Sequence, residues 1–313
     1  MSDGKKVGTV LQELERWRLE AREEDSLHYF LTTPELSQIL DGDACYVIGR
    51  KGCGKTAIAE HIRSAKAYNI FVNSLSFKNF PFNDIYQHSD DRFSKPSQYI
   101  TFWKYIIYSA VCTSMAESQA IESNAASALR SHFKVDFDKA LSRSVAHVTQ
   151  GSLGLTIAKA GATGAMSRTF IPNDTPWINR VEMLEDLIAE FADDSDYYVL
   201  FDELDEDYKD MLNIERKTQY FELLTGLFKA VSDIRRRFYG VRKIKPVIFL
   251  RDNIFSVIDD NDKNKWEDLV VNLTWNEERL KDLTAFRISR ALDPAGAVKP
   301  FSDALSHVFV TRV

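Results

Sequence analysis

The chain has 313 residues, with 44% apolar and 27% charged side chains and a net charge of −6, the composition of an ordinary soluble protein. That length builds one large domain or two smaller ones, each with a proper core. No apolar run reaches the length that spans a bilayer, and the acidic balance offers no general attraction for nucleic acid or anionic membranes. The beginning, M-S-D-G-K-K, lacks the apolar core of a secretory signal, and Cys45, Cys53 and Cys112 lack metal-ligand spacing. A reducing cytoplasm is therefore the expected compartment.

In chain order, residues 9–24 hold Leu11, Leu14 and Trp17 at helical spacing and read as one amphipathic helix packed on the core. A second short helix around Leu27, Tyr29, Phe30 and Leu31 stops near Pro34, a third covers 34–40, and Asp41-Gly42-Asp43 is a turn. Residues 44–48 (A-C-Y-V-I) are a short strand, and residues 56–66 (T-A-I-A-E-H-I-R-S-A-K) are helix-competent. Between them Gly49, Gly54, Lys55 and Thr56 fill the spacing G-x-x-x-x-G-K-[ST], in the strand–loop–helix context that a phosphate-binding loop requires.

The chemistry explains that spacing. Gly49, Gly52 and Gly54 open backbone conformations closed to other residues, so that successive N–H groups can face a phosphate. The helix beginning near Lys55 adds its positive dipole end. Lys55 supplies a mobile charge for β- and γ-phosphates, and the Thr56 hydroxyl supplies a ligand for Mg²⁺. The expected nucleotide-binding set is Gly49, Arg50, Lys51, Gly52, Cys53, Gly54, Lys55, Thr56 and Ala57.

Residues 69–72 (N-I-F-V) read as a second strand and 77–91 as an irregular aromatic loop. Residues 99–115 have the pattern of a buried helix, with Phe102, Trp103, Ile106, Ile107 and Val111 near helical steps. Residues 117–148 are weakly helical, and the glycines of 151–164 fit either a mobile loop or a glycine-bearing hairpin. Residues 79–179 together read as a mostly helical insertion.

Helical periodicity returns over 177–193, and a turn at Ser195-Asp196 leads into 197–204, Y-Y-V-L-F-D-E-L. An apolar run ending in adjacent carboxylates is the pattern of a buried parallel strand that reaches a site. With a phosphate loop upstream it is a Walker B motif. Asp202 would hold Mg²⁺, directly or through water, and Glu203 would activate the attacking water.

Residues 214–239 form one long helix ending in Arg235, Arg236 and Arg237, followed by Arg242, Lys243 and Lys245. A helix dipole favours cations there. An arginine finger for a neighbouring subunit and a nucleic-acid contact through Arg235 to Lys245 are the sharper alternatives, the second not favoured. Residues 246–250 (P-V-I-F-L) are a further buried strand. It ends at Arg251, which either reaches a γ-phosphate or pairs with Asp252 or Asp205. Residues 275–291 are an amphipathic helix whose Arg287 and Arg290 fit a nucleotide-sensing lid or plain surface arginines. Val308, Phe309, Val310 and Val313 are apolar with nothing beyond to pack them, so the chain is expected to be part of a longer protein or to be completed by a partner.

Strand plus G-R-K-G-C-G-K-T, then an insertion, then Y-Y-V-L-F-D-E-L and V-I-F-L-R-D-N-I-F, resembles the additional-strand P-loop ATPases. Within them it is similar to the AAA+, signal-transduction (STAND) and KAP-like groups, several of which act in antiphage defence. The lead-in A-R-E-E-D-S-L-H-Y-F, and the later L-T-W-N-E-E-R-L with Arg287-Ile288, also resemble a bacterial family of P-loop ATPases in that neighbourhood. Alternating buried strands and helices give an α/β fold, a mostly parallel sheet flanked by helices. With the helical insertion at about 79–179, which matches nothing in these families, the expected layout is N-terminal helices over 1–40, the ATPase core over 41–260 and the start of a partial C-terminal helical lid over 261–313. The resemblance implies ATP on residues 49–56, Mg²⁺ on Thr56 and Asp202, Glu203 as base, Lys55 in catalysis and Arg251 as a sensor of the γ-phosphate. The terminal segment departs from the family in showing no Gly-x-Pro sensor.

Three functions are compatible with these residues. The first is an ATP-hydrolysing switch or motor, a homo-oligomer acting on an effector or sensor partner and on no membrane; the pair Asp202-Glu203 favours it. The second is a nucleotide-dependent DNA-binding protein resting on Arg235 to Lys245. The third is a small-molecule kinase, against which Glu203 points to water as the nucleophile. ATP is favoured over GTP because Asn264-Lys265-Trp266-Glu267 approaches the base-reading N-K-x-D pattern but ends in Glu and lies beyond the core strands.

Overall fold

The computed structural model describes residues 11, 12, 15, 17, 29–65, 67–76, 95–121, 123–133, 155–160, 166–171, 177–205 and 214–309. The first half forms α1 (Pro34–Asp41), β1 (Tyr46–Gly49), α2 (Lys55–Ser64), β2 (Ile70–Ser76), α3 (Lys95–Glu117), α4 (Ser123–His132), β3 (Leu155–Ala160) and β4 (Met166–Ile171). The second half forms α5 (Trp177–Phe191), β5 (Asp196–Asp202), α6 (Ile214–Phe238), β6 (Ile244–Arg251), α7 (Asp252–Val257), α8 (Lys263–Glu267), β7 (Val270–Leu273), α9 (Glu277–Leu292) and α10 (Phe301–Ser306).

Five strands make the main sheet in the order β2-β5-β6-β1-β7, with every pair parallel. The three inner strands are buried along nearly their whole length, as strands covered on both faces must be. Alternation along each strand divides their side chains between two layers. Tyr46, Ile48, Tyr197, Val199, Phe201, Ile248 and Leu250 join α3, α5 and α6 on one face. Val47, Tyr198, Leu200, Val247, Phe249, Val271 and Leu273 join α1 and α2 on the other. The expected α/β sheet flanked by helices is what the chain forms.

Specific contacts fix the helices on this sheet. Trp103 of α3 donates its ring N–H to the Leu223 carbonyl of α6 at 2.8 Å, and the Tyr46 hydroxyl donates to the Phe228 carbonyl at 2.9 Å. Helix α1 starts at Thr33, whose side chain accepts from the Leu36 N–H, and stops at Gly42 with φ of 82°. That left-handed stop turns the chain into β1.

Several elements differ from the sequence reading. Strand β2 continues to Ser76, past the expected end at Val72. Strands β3 and β4 pair antiparallel, with Leu155 opposite Ile171, in line with the hairpin alternative for the glycine segment and adding strands to the mostly helical 79–179. Helix α3 of that segment packs against α5 and α6 in the main layer. Strand β7 was not foreseen, because V-V-N-L is short and follows a charged stretch. Helix α9 begins after Asn276, whose side chain accepts from the Arg279 N–H, so Trp275 precedes the helix. Val308 packs with Ile288, Ala291, Phe301 and Leu305 between α9 and α10, while Phe309 is exposed. The expectations for 77–91, for most of 9–28 and 134–148, and for 310–313 lie outside the described residues. No described helix is long and apolar enough to cross a membrane.

Candidate functional site

Parallel pairing brings distant residues to one edge of the sheet. Gly49 at the end of β1 pairs with Arg251 on one side and Leu273 on the other, and Ser76 at the end of β2 pairs with Asp202 at the end of β5. Because Phe201 pairs with Ile248, Asp202 stands level with Phe249, and Arg251 lies two residues farther along β6. In open parallel sheets, ligands bind in the crevice beyond these carboxyl ends. The glycine loop, the acidic pair and Arg251 therefore share one end of the molecule.

The loop from Gly49 to Lys55 is closely built. A Cβ on Gly49 would stand 2.5 Å from Cys53 Sγ and 2.9 Å from the Leu273 carbonyl oxygen, so only glycine fits there. Gly52 and Gly54 have φ of 81° and 98°, in the left-handed region that favours glycine. Gly54 is the N-cap of α2, which opens at Lys55 without a side-chain capping hydrogen bond. Thr56 and Ala57 follow, half-buried in the first turn. Lys55 Nζ donates to the Gly49 and Arg50 carbonyls, each at 2.9 Å, and approaches Cys53 Sγ at 3.9 Å. Its ammonium is thus held by the carbonyls of its own loop. Arg50 and Lys51 are exposed, and Arg50 pairs with Asp252 at 3.7 Å.

The acidic pair differs from one residue to the next. Asp202 is buried at the end of β5. Glu203 has φ of 58°, the only positive value at a non-glycine among the described residues. Such a conformation costs on the order of 1 to 2 kcal/mol and persists where surrounding contacts enforce it. One such contact is Ser76, whose hydroxyl donates to Glu203 Oε2 at 2.8 Å. Ser76 lies four residues past the strand that the sequence predicts, and the signal that places it is the register of β2 carried through N-S-L-S.

Of the two carboxylates that the sequence offers Arg251, Asp205 is the one it meets. Its Nε pairs with Asp205 Oδ2, both side chains mostly buried. Asp252 turns away to accept from the Asn253 N–H at 2.8 Å and to meet Arg50.

A second wall of the loop comes from the segment after β7. Trp275 donates its indole N–H to the Cys53 carbonyl at 2.9 Å. Arg279 donates to the Thr274 carbonyl at 3.2 Å and pairs with Glu35 of α1 at 2.7 Å. Burial pushes the Glu35 carboxyl up, but hydrogen bonds from its own backbone, Arg279 and Thr33 outweigh that and hold it below its ordinary value.

The basic cluster spanning the last turn of α6 and the residues after it is largely engaged within the chain. Arg235 donates to the Gly42 carbonyl, and Arg237 pairs with Glu185 at 2.6 Å. Arg242 donates to the Ala189 carbonyl at 3.1 Å, and Lys245 pairs with Asp196 at 2.7 Å. The N-K-W-E segment lies on α8, with Trp266 buried against Phe228. On α9, Arg287 lies over the Trp17 ring, and Arg290 donates to the Pro294 and Gly296 carbonyls.

Among the described residues, no cluster of three or more His, Cys, Asp or Glu side chains forms a metal cage. An ion held by Thr56 and Asp202 would draw its other ligands from water and phosphate, the usual manner for Mg²⁺. Comparison with family models, curated proteins and solved structures finds no match for this chain.

Proposed function

We propose that the chain is a P-loop ATPase of the additional-strand group, hydrolysing ATP with Mg²⁺ to switch or drive an assembly or an effector partner. The observation that carries this reading is the shared sheet edge. The G-K-T loop leaves the end of β1, the Asp202-Glu203 pair leaves the end of β5, and one further strand, β6, stands between them. That interposed strand is the arrangement the group's name describes, and it supports the resemblance of the motifs.

The residues suit a nucleoside triphosphate. Gly49, Gly52 and Gly54 bend residues 49–56 into a cradle at the N-terminus of α2, where backbone N–H groups and the helix dipole favour phosphate. Lys55, held now by loop carbonyls, has donors that can turn to phosphate oxygens. Thr56 and Asp202 would hold Mg²⁺, which neutralises charge on the phosphates. Glu203, held by Ser76, would take the proton of the attacking water. Arg251, level with Gly49 and paired with Asp205, would sense the γ-phosphate by exchanging partners. A homo-oligomer, a cytoplasmic location and a role in antiphage defence belong to the same proposal through the family resemblance alone.

The test is Mg²⁺-dependent ATP hydrolysis measured across protein concentration, with light scattering in parallel, on wild type and Glu203→Gln. Turnover rising faster than linearly and lost in Glu203→Gln supports a site completed between subunits. Absence of both ATP binding and hydrolysis overturns the reading.

A further inference from the structure

Trp275 is 38% exposed, whereas Trp103 and Trp266, which pack the core, are 0 and 1% exposed. Tryptophan combines a large apolar ring with a polar N–H, which suits a position with one side on the protein and the other toward a ligand. The ring is also fixed. Its N–H is bonded to the Cys53 carbonyl of the phosphate loop, Thr274 before it is held by Arg279, and Asn276 after it caps α9. The hydrogen bond engages the edge of the indole and not its π-faces.

We propose that Trp275 is the platform on which the base of the bound nucleotide stacks. The inference rests on the nucleotide reading of the loop and adds the residue that holds the other end of the ligand. A triphosphate seated on the N–H groups of residues 52–56 leaves its base one ribose from the loop backbone, and Trp275 is bonded to that backbone at Cys53. The loop itself, G-R-K-G-C-G-K-T, carries no ring. Every nucleobase has a π-face, so Trp275 supplies affinity for a base and leaves the choice between bases to other groups.

The experiment is calorimetric titration with Mg²⁺ present, comparing ATP with inorganic tripolyphosphate on wild type, Trp275→Ala and Trp275→Phe. Trp275→Ala is expected to weaken ATP by about ten- to a hundred-fold, the range of base–aromatic stacking, and to leave tripolyphosphate unchanged. Trp275→Phe keeps most of the ATP affinity, since it retains an aromatic face, though a smaller one, and loses the N–H. Equal loss of both ligands, or Phe as weak as Ala, would mean that Trp275 merely anchors the loop and overturns the proposal. Unchanged ATP affinity in Trp275→Ala overturns it too. Wild type binding neither ligand overturns the phosphate-loop reading, and this inference falls with it. A second readout needs no truncation: ATP changes the wild-type tryptophan emission and tripolyphosphate does not, and Trp275→Phe loses the difference. The same response to both ligands counts against stacking.

Discussion

Ser76 and Glu203, 127 positions apart in the chain, are joined by a hydrogen bond of 2.8 Å across the ends of β2 and β5. The bond falls on the one described non-glycine residue with positive φ, so the serine fixes a carboxylate whose backbone is already strained. If Glu203 is the base, Ser76 aims it. Ser76→Ala should lower kcat by about tenfold, the worth of one hydrogen bond to a charged group, with ATP affinity unchanged and Ser76→Thr restoring the rate. Glu203→Gln should lower kcat by on the order of 10² to 10⁴. Steady-state kinetics beside equilibrium ATP binding decides this: weaker binding at constant kcat would show that the serine serves the ligand and not the base.

The loop makes an independent prediction at Gly49. An added Cβ meets Cys53 Sγ and the Leu273 carbonyl, and the carbonyl belongs to the neighbouring strand. The sulfur can turn aside, whereas the strand cannot. Gly49→Ala should destabilise the protein by about 1 to 3 kcal/mol and abolish ATP binding, because the loop must shift away from β7. Denaturant unfolding and ATP titration on the same variant check both parts. Full ATP affinity in a normally stable Gly49→Ala protein would mean that the loop has more room than the strand pairing leaves it.

How far the sequence reached depended on which feature was local. The loop and the Y-Y-V-L-F-D-E strand were legible because spacing, glycine chemistry and two-sided burial are all written within a few residues. Helix α6 was legible for the same reason, with Leu224, Phe228, Val231 and Ile234 repeating along it. Ser76 was not, because its importance arises only from pairing with Asp202 on another strand. The partner of Arg251 stayed open between Asp205 and Asp252 until α7, starting at Asp252, turned that carboxylate to its own helix end. Trp275 reads as the first residue of the amphipathic segment 275–291, and only the Asn276 cap separates it from α9. Strand β7 owes its existence to an open edge beside β1 more than to its own four residues.

Acid should act through Asp193, at the turn between α5 and β5. Its Oδ1 accepts from the Ser195 N–H at 2.8 Å and the Tyr197 hydroxyl at 2.9 Å, and its Oδ2 accepts from the Ser118 hydroxyl at 2.5 Å, tying the end of α3 to the sheet. Burial pushes this carboxyl up, but hydrogen bonds from Ser118, Ser195 and Tyr197 outweigh it and hold the folded value below the ordinary one. The contribution is therefore fully present above the unfolded pKa, about 3.9, and is lost as pH falls through the lower folded value. Asp193→Asn should cost about 1 to 3 kcal/mol at neutral pH, with the difference from wild type shrinking below about pH 4. Urea unfolding of both proteins over that range measures it, and a gap that stays constant into strong acid would assign the effect to shape and not to charge.

Gly226 sits inside α6 where the helix crosses α3. A Cβ there would stand 2.7 Å from Tyr99 Cβ, 3.2 Å from the Tyr99 carbonyl carbon and 3.4 Å from the Ile100 nitrogen. Two opposing effects meet at this position. Alanine favours the helix over glycine by about 1 kcal/mol, while overpacking a core costs about 1 to 3 kcal/mol. The nearest atoms are backbone or attached directly to it, so no rotamer change relieves the contact, and α3 is further pinned by the Trp103 bond to Leu223. Overpacking should therefore win. Gly226→Ala is expected to lower the melting temperature by a few degrees, and Gly226→Val by more, since a β-branched side chain adds bulk and gains less helix propensity than alanine does. Thermal unfolding followed by circular dichroism reads this directly. A rise in melting temperature for Gly226→Ala would show that helix propensity decides and that α3 and α6 have room to part.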